Sequence, residues 1–247
     1  MTGIIFRLAL LVACCGLMLV TTATAQDFNK TYRIAPGGSI NIRNVSGNIS
    51  ITGTDADAIT VSAFKTGSDR DLVEVVDTSN DNRLDLEARY PSQCNCNVDV
   101  RFELRVPRGT NYNFDQVTTA SGNINVSGVR GHMRVSTASG DVEVKNVSGE
   151  VSARSASGDV EVEISNLEGT GDMKFASASG DVHVRMPASL DADVRMSTIS
   201  GTVRTDFPIE VRQPRYGPGS NARGRLGGGT RSLQITSASG DVSLMKL

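Results

Sequence analysis

The side chains of this 247-residue sequence that could do chemistry recur at a fixed phase. Ser139-Gly140-Asp141-Val142 is repeated as Ser157-Gly158-Asp159-Val160, Ser179-Gly180-Asp181-Val182 and Ser239-Gly240-Asp241-Val242. Ser121-Gly122-Asn123-Ile124 and Ser46-Gly47-Asn48-Ile49 carry Asn for Asp, and Ser200-Gly201-Thr202-Val203 carries Thr. Stacked, Asp141, Asp159 and Asp181, with Asp241 further on, form a column of like charges that either water screens or a cation bridges. Calcium-binding β-rolls do the latter with a paired-glycine nonapeptide, and the paired glycines are missing here. Asp141 and Asp159 with Glu143 and Glu161 could also mimic the two carboxylates of a glycosidase. They sit at equivalent repeat positions, however, so the repeat already accounts for them. A serine nucleophile would need a histidine, and His132 and His183 both fall at outward phases. No catalytic residue, metal ligand or cofactor is therefore assigned.

Two other groups of residues carry chemistry. Cys94 and Cys96 in Gln93-Cys94-Asn95-Cys96 lie on one strand face about 7 Å apart by strand rise, at the edge of disulfide reach. A turn at Pro91-Ser92 would bring them closer, which favours a local disulfide; redox centres use C-x-x-C, and zinc sites want a nearby His. The stretch 206–230, rich in Pro and Gly, reads as a mobile projecting loop. It holds Arg212, Arg215, Tyr216, Arg223 and Arg225, candidates for binding a phosphate or carboxylate partner, with Arg231 at its end.

Arg7, the apolar run 8–20 and Ala23-Thr24-Ala25 read as a signal peptide, residues 1–25, with the mature chain starting at Gln26. The competing lipobox reading at Leu11-Val12-Ala13-Cys14 is weakened by the apolar residues that follow Cys14. No transmembrane segment is expected after cleavage. Net charge is −2 and Lys+Arg number 25 against 27 Asp+Glu, which argues against a nucleic-acid partner. Trp is absent and aromatics are 4%, so Val, Ile, Leu, Met and Ala must build a thin core.

The elements that position these residues follow from the period. Gly122, Gly140 and Gly158 are evenly spaced, with Gly131 and Gly149 halfway between, and the same half-phase falls on Gly171, Ala192 and Arg231. Apolar residues follow each glycine phase at the second and fourth positions, as in Val142/Val144 and Met133/Val135. This is the pattern of two short strands per coil. Coils of about 18–22 residues stacking as parallel strands predict an all-β, single-stranded parallel β-helix or β-solenoid over 26–247. Glycine at the corner permits positive φ or close packing, and the serine before it is expected to hydrogen-bond a neighbouring backbone group. The alanines two positions before the glycine are expected to fit a narrow corner.

Ile34-Ala35-Pro36-Gly37-Gly38-Ser39-Ile40-Asn41-Ile42-Arg43-Asn44-Val45-Ser46-Gly47-Asn48-Ile49, the step Val106-Pro107-Arg108-Gly109 and the repeated Ser-Ala-Ser-Gly-Asp-Val together resemble the bacterial "putative adhesin" domain, a family of unknown function. The resemblance covers nearly all of 30–247. It implies a β-solenoid exposed outside the cytoplasm (periplasmic, cell-surface or secreted) and no catalytic residues. The expectation is a non-enzymatic binding or scaffolding module of the cell envelope. The alternatives are a polysaccharide-active β-helix enzyme, or an envelope-stress component that binds anionic lipid or glycan through the 206–230 loop.

Overall fold

Alternation of Val, Ile, Leu and Ala with polar residues produces strands almost throughout. The computed structural model describes residues 27–213 and 218–247; the segment read as a signal peptide, and Arg215 and Tyr216, lie outside the described residues. The opening strands are β1 (Phe28–Tyr32), β2 (Ser39–Arg43), β3 (Ile49–Thr54) and β4 (Ile59–Thr66). A 3-10 turn at Arg70–Leu72 leads to β5 (Glu74–Asp77), β6 (Arg83–Arg89) and β7 (Asp99–Pro107). The central repeats supply β8 (Asn111–Ser121), β9 (Ile124–Ser127), β10 (Arg130–Ser139), β11 (Val142–Ser157), β12 (Val160–Asn166), β13 (Met173–Ser179) and β14 (Val182–Met186). Then come β15 (Ala192–Ser200), β16 (Val203–Thr205), β17 (Val211–Arg212), β18 (Ser220–Leu226), β19 (Ser232–Ser239) and β20 (Val242–Lys246). No helix among the described residues is long and apolar enough to cross a membrane.

The strands form two ladders joined through β11. One runs β5–β6–β2–β8–β10–β11–β13–β19–β15–β18–β17, the other β1–β4–β7–β3–β9–β11–β12–β14–β20–β16. Inward side chains from both ladders make one continuous core. Val142 stands beside Val160 and Val160 beside Val182, while Val144, Val162 and Val184 form the next column. Each such fully buried aliphatic contributes about 1.5–3 kcal/mol. Phe102, Phe114 and Phe175 are the largest of the fully buried side chains.

The regular parallel solenoid holds only in the middle of the stack. There, neighbouring coils are 18 or 22 residues apart in sequence. Toward the ends the separations jump to 75 and 60, and antiparallel pairs appear: β1–β4, β4–β7 and β5–β6 at one end, β15–β18 and β17–β18 at the other. The sheet is therefore mixed, and the uniform coil expected from the period is corrected. The order of coils is also not the order of the chain. The coil β2/β3 lies between β6/β7 and β8/β9, and the coil β19/β20 lies between β13/β14 and β15/β16. The physical consequence is edge protection. An open parallel stack would present long unpaired strands at both ends, whereas here antiparallel additions and the three-residue β16 shorten or cover them.

The 206–230 stretch is corrected too. Its described residues, 206–213 and 218–230, do not project as a loop: β18 lies antiparallel along β15, with Ala222, Leu226 and Phe207 buried. Asp191 fastens its far end by accepting the N–H groups of Thr230 (3.0 Å) and Gly229 (2.6 Å), and the Thr230 N–H above all, against the opposing effect of burial, holds its carboxyl below the usual carboxylate range. Arg231, read as a half-coil position without its glycine, immediately precedes β19; it is buried, and its Nη2 donates to the Gly169 carbonyl at 2.6 Å.

Candidate functional site

The corner acids form a ladder. Asn48 Oδ1 accepts the Asn123 N–H, Asn123 Oδ1 that of Asp141, Asp141 Oδ1 that of Asp159, and Asp159 Oδ1 that of Asp181. Asp181 Oδ1 then accepts from Asp241, and Asp241 Oδ1 from Thr202, all at 2.7–2.9 Å. Thr202 belongs to the last coil of the stack, where no further coil among the described residues presents an N–H at this phase. The Thr202 N–H, set against partial burial and helped by Arg204, holds the Asp241 carboxyl below its ordinary range. Each Asp thus serves as an acceptor for backbone, a role that Asn fills equally at positions 48 and 123. Asp159→Asn should leave stability within about 0.5 kcal/mol of wild type, while Asp159→Ala should lose about 1 kcal/mol in urea melts, the net worth of one hydrogen bond. An equal loss for both substitutions would show that the charge, not the acceptor, matters.

A hydroxyl column runs inside the same corner. Thr137, Ser155, Ser177, Ser237 and Thr198 donate to the carbonyls of Gly122, Gly140, Gly158, Gly180 and Gly240 at 2.8–3.0 Å. These residues lie three positions before the glycine and are buried. The expectation that the serine just before the glycine makes this bond is corrected: Ser139, Ser157 and Ser179 point to solvent and contribute only backbone carbonyls. The alanines Ala120, Ala138, Ala156 and Ala178 are exposed as well, as a flat row outside the sheet rather than as corner filling.

On the ladder that contains β12, β14 and β20, outward charges neutralise one another. Glu143 pairs with Lys145, Lys145 reaches Glu161 at 3.4 Å, and Arg185 lies 3.3 Å from Glu161. His183 Nδ1 meets Ser243 Oγ at 2.7 Å. His132, on the other ladder, is 3.4 Å from Glu150. Among the described residues, no group of three or more His, Cys, Asp or Glu side chains is arranged to hold a metal.

The arginine candidates separate. Arg225 turns to Asp193 in a two-pronged contact of 2.8 and 3.3 Å, and Arg212 takes Glu210 at 3.0 Å. Arg223 stands directly opposite Arg195 across the β15–β18 pair and is exposed. Arg195, Arg212 and Arg223 line a shallow groove of about 450 Å³ with Asn221, Gln234 and Thr236. Arg195 is outside the segment 206–230 and was not a candidate; its outward phase in the half-coil Val194/Met196 was the available signal.

With this geometry in view, the match to known families is decisive: residues 38–245 match the Toastrack DUF4097 family. The chain belongs to that family. The match and the adhesin-domain resemblance read from the repeats cover the same stretch. No curated protein matches this Toastrack chain. Among solved structures, a "putative cell adhesion protein" of Clostridium sporogenes is similar at 12% identity and a TM-score of 0.48, over 89% of this chain and 99% of that one. A "putative adhesin" of Bacteroides fragilis is similar at 14% identity and a TM-score of 0.40, over 89% and 96%.

Two features of the Toastrack chain lie at its β1/β5 end. Cys94 and Cys96 pair within a turn that places their Cα atoms 5.1 Å apart, with the Cys94 N–H on the Pro91 carbonyl at 3.3 Å. Asp77 of β5 joins the two ladders across the end of the stack, accepting from Lys30 (2.6 Å) and the Tyr32 hydroxyl (2.9 Å) of β1. Burial raises the Asp77 carboxyl, but hydrogen bonds from Lys30, Ser79 and Tyr32 outweigh it and leave the group well below the carboxylate range. Burial, with Asp77 beside it, pushes the Tyr32 phenol up. A carboxyl whose folded value is depressed stabilises above its unfolded value of about 3.9 and loses that contribution as pH falls through the folded value. Asp77→Asn should therefore cost about 1 kcal/mol at pH 7, discounted because Lys30 is half exposed, and the gap to wild type should close as the pH is lowered below 4. A gap independent of pH in thermal melts would refute the assignment.

Proposed function

We propose that this Toastrack chain is an exported, non-catalytic binding module of the bacterial envelope, in which residues 26–247 work as one unit after removal of 1–25. The observation that carries this reading is the use of the repeated acids: Asp141, Asp159, Asp181 and Asp241 are acceptors in a backbone ladder, and Glu143 and Glu161 are ion-paired. A glycosidase needs one carboxyl free to protonate a leaving group and another free to attack or to activate water. The corner acids instead hold the scaffold, and the scaffold presents flat faces. Family membership supports an adhesin-like role.

The test has two arms. Purified 26–247 is incubated with acidic and neutral polysaccharides, with Asp141→Asn/Asp159→Asn as the comparison; cleavage that the double variant abolishes while keeping its fold would overturn the proposal. In parallel, fractionated cells expressing the full chain are assayed for the mature N-terminus. Recovery of a cytoplasmic chain that still begins at Met1 would remove export.

A further inference from the structure

The outward face of the ladder β10–β11–β13–β19–β15–β18 carries a line of unpaired cations. Register places Arg134 of β10 beside Ser152 of β11, Lys174 of β13 beside Gln234 of β19, Gln234 beside Arg195 of β15, and Arg195 beside Arg223 of β18. Ser152 and Lys174 join the two halves, the Ser152 hydroxyl accepting the Lys174 N–H at 3.3 Å. One row further along the strands, Arg154 sits beside Ser136 and Ala176. Arg134, Arg154, Lys174, Arg195 and Arg223 form no ion pair among the described residues. With strands about 4.8 Å apart, five steps from Arg134 to Arg223 span about 24 Å.

The acids next to this line are already engaged. Glu150 accepts the Gly171 N–H, Asp172 accepts that of Ser232 at 2.8 Å, Asp193 is held by Arg225, and Asp115, which lines the groove beside Arg134 and Arg154, accepts the Ser39 hydroxyl. On the opposite ladder, Lys145 and Arg185 are matched by glutamates. In a chain of net charge −2, five cations without an ion pair thus fall together on one flat face, while Arg33, Arg89 and Arg105, exposed and also without an ion pair among the described residues, lie elsewhere. Grooves of about 450 and 760 Å³ lie at the two ends of the line, the first holding Arg195 and Arg223, the second Arg134 and Arg154. The exposed alanine row borders it and leaves the surface low.

We infer that this face binds an extended acidic polysaccharide, its carboxylates taken by Arg134, Arg154, Lys174, Arg195 and Arg223. This deepens the binding-module reading and rests on it. Charge complementarity requires a polyanion, and guanidinium groups receive carboxylates in two-pronged fashion. The hydroxyl and amide side chains between the cations, Ser136, Ser152, Gln234 and Thr236, suit the hydroxyls of a sugar chain. The strand spacing is comparable with the pitch of successive sugars in an extended glycan. Single-stranded nucleic acid calls for stacking aromatics, and the line has none. Insertion into lipid calls for exposed apolar anchors, and the row beside the line offers only small alanines and, at one end, Ile199.

The test is salt-dependent binding of the mature chain to polygalacturonate, measured beside neutral dextran, phosphatidylglycerol vesicles and a single-stranded oligonucleotide. Lys174→Gln/Arg195→Gln/Arg223→Gln should weaken polygalacturonate binding at least tenfold. Lys145→Gln/Arg185→Gln, on the other face, should change it less than twofold, and melting temperatures should confirm that both variants are folded. Equal binding by wild type and the triple variant, or a preference for vesicles or oligonucleotide, would overturn the inference. So would absence of polygalacturonate binding, and that result leaves the binding-module reading standing unless the polysaccharide-cleavage assay also turns positive.

Discussion

Gly140→Ala should destabilise the fold by about 3 kcal/mol, although it adds one methyl group at the surface of a corner. Two independent terms add. Gly140 has φ of +141°, a conformation that side chains other than hydrogen rarely adopt, and such strain costs about 1–3 kcal/mol. A Cβ at this position would also fall 2.3 Å from the carbonyl oxygen of Gly122. Relieving that overlap means separating two coils, and overpacking of this kind costs about 1–3 kcal/mol more. The same approach recurs up the column: Gly158 on Gly140, Gly180 on Gly158, Gly240 on Gly180 and Gly201 on Gly240. The control is Gly109→Ala, where a Cβ would meet nothing within 4 Å; it should be neutral or slightly stabilising, because alanine restricts the unfolded chain. Urea unfolding of both variants decides the matter. A loss below about 1 kcal/mol for Gly140→Ala would mean that neighbouring coils slide more freely than this packing allows.

That column also marks how far the sequence could be read. The phase of each glycine determines which residues point inward, so Val142, Val144, Met133 and Val135 were legible as core. Phase does not determine which coil lies next to which. A coil offers the same edges to any neighbour of equal register, so the insertion of β19/β20 between β13/β14 and β15/β16 left no trace in the period. One residue did carry the information. Thr202 stands where the other copies have Asp or Asn, and the missing acceptor fits a coil with no neighbour beyond it at this phase. In 206–230 the density of Pro and Gly hid the alternation of Ser220, Ala222, Gly224 and Leu226, which is that of a strand with one face covered. At the candidate surface, Arg223 was legible as a cation but not its partner Arg195, because an antiparallel pairing between distant segments brings them together. The hydroxyl column was misplaced by two residues for a similar reason: Ser139 and Thr137 are both small, polar and near the corner, and only the strand's last inward phase distinguishes them.

Removal of residues 231–247 should abolish folding rather than trim the stack. In a solenoid whose coils follow chain order, deleting the last coil exposes one neighbour and costs one interface. Here β19 pairs with β13 on one side and β15 on the other, and β20 pairs with β14 and β16. The deletion takes away Leu233, Ile235, Val242 and Leu244, all fully buried. It also uncovers strand edges on both sides of the gap and detaches β15 and β16 from the remaining coils. At about 1.5–3 kcal/mol for each aliphatic, the direct loss alone approaches the whole stability of a typical domain, about 5–15 kcal/mol. Unpaired parallel edges then favour association over a shortened native state. The truncated chain 26–230 is expected in the insoluble fraction, or as large assemblies by size exclusion, with no cooperative melt. Replacing 206–230 by a short flexible linker should be far milder, because it removes β17 and β18 from the outside of the stack and leaves every parallel coil paired. A soluble 26–230 monomer melting cooperatively within about 5 °C of the intact chain, a shift worth roughly 1–2 kcal/mol at this size, would place the last coil at the end of the stack and refute the interleaved order.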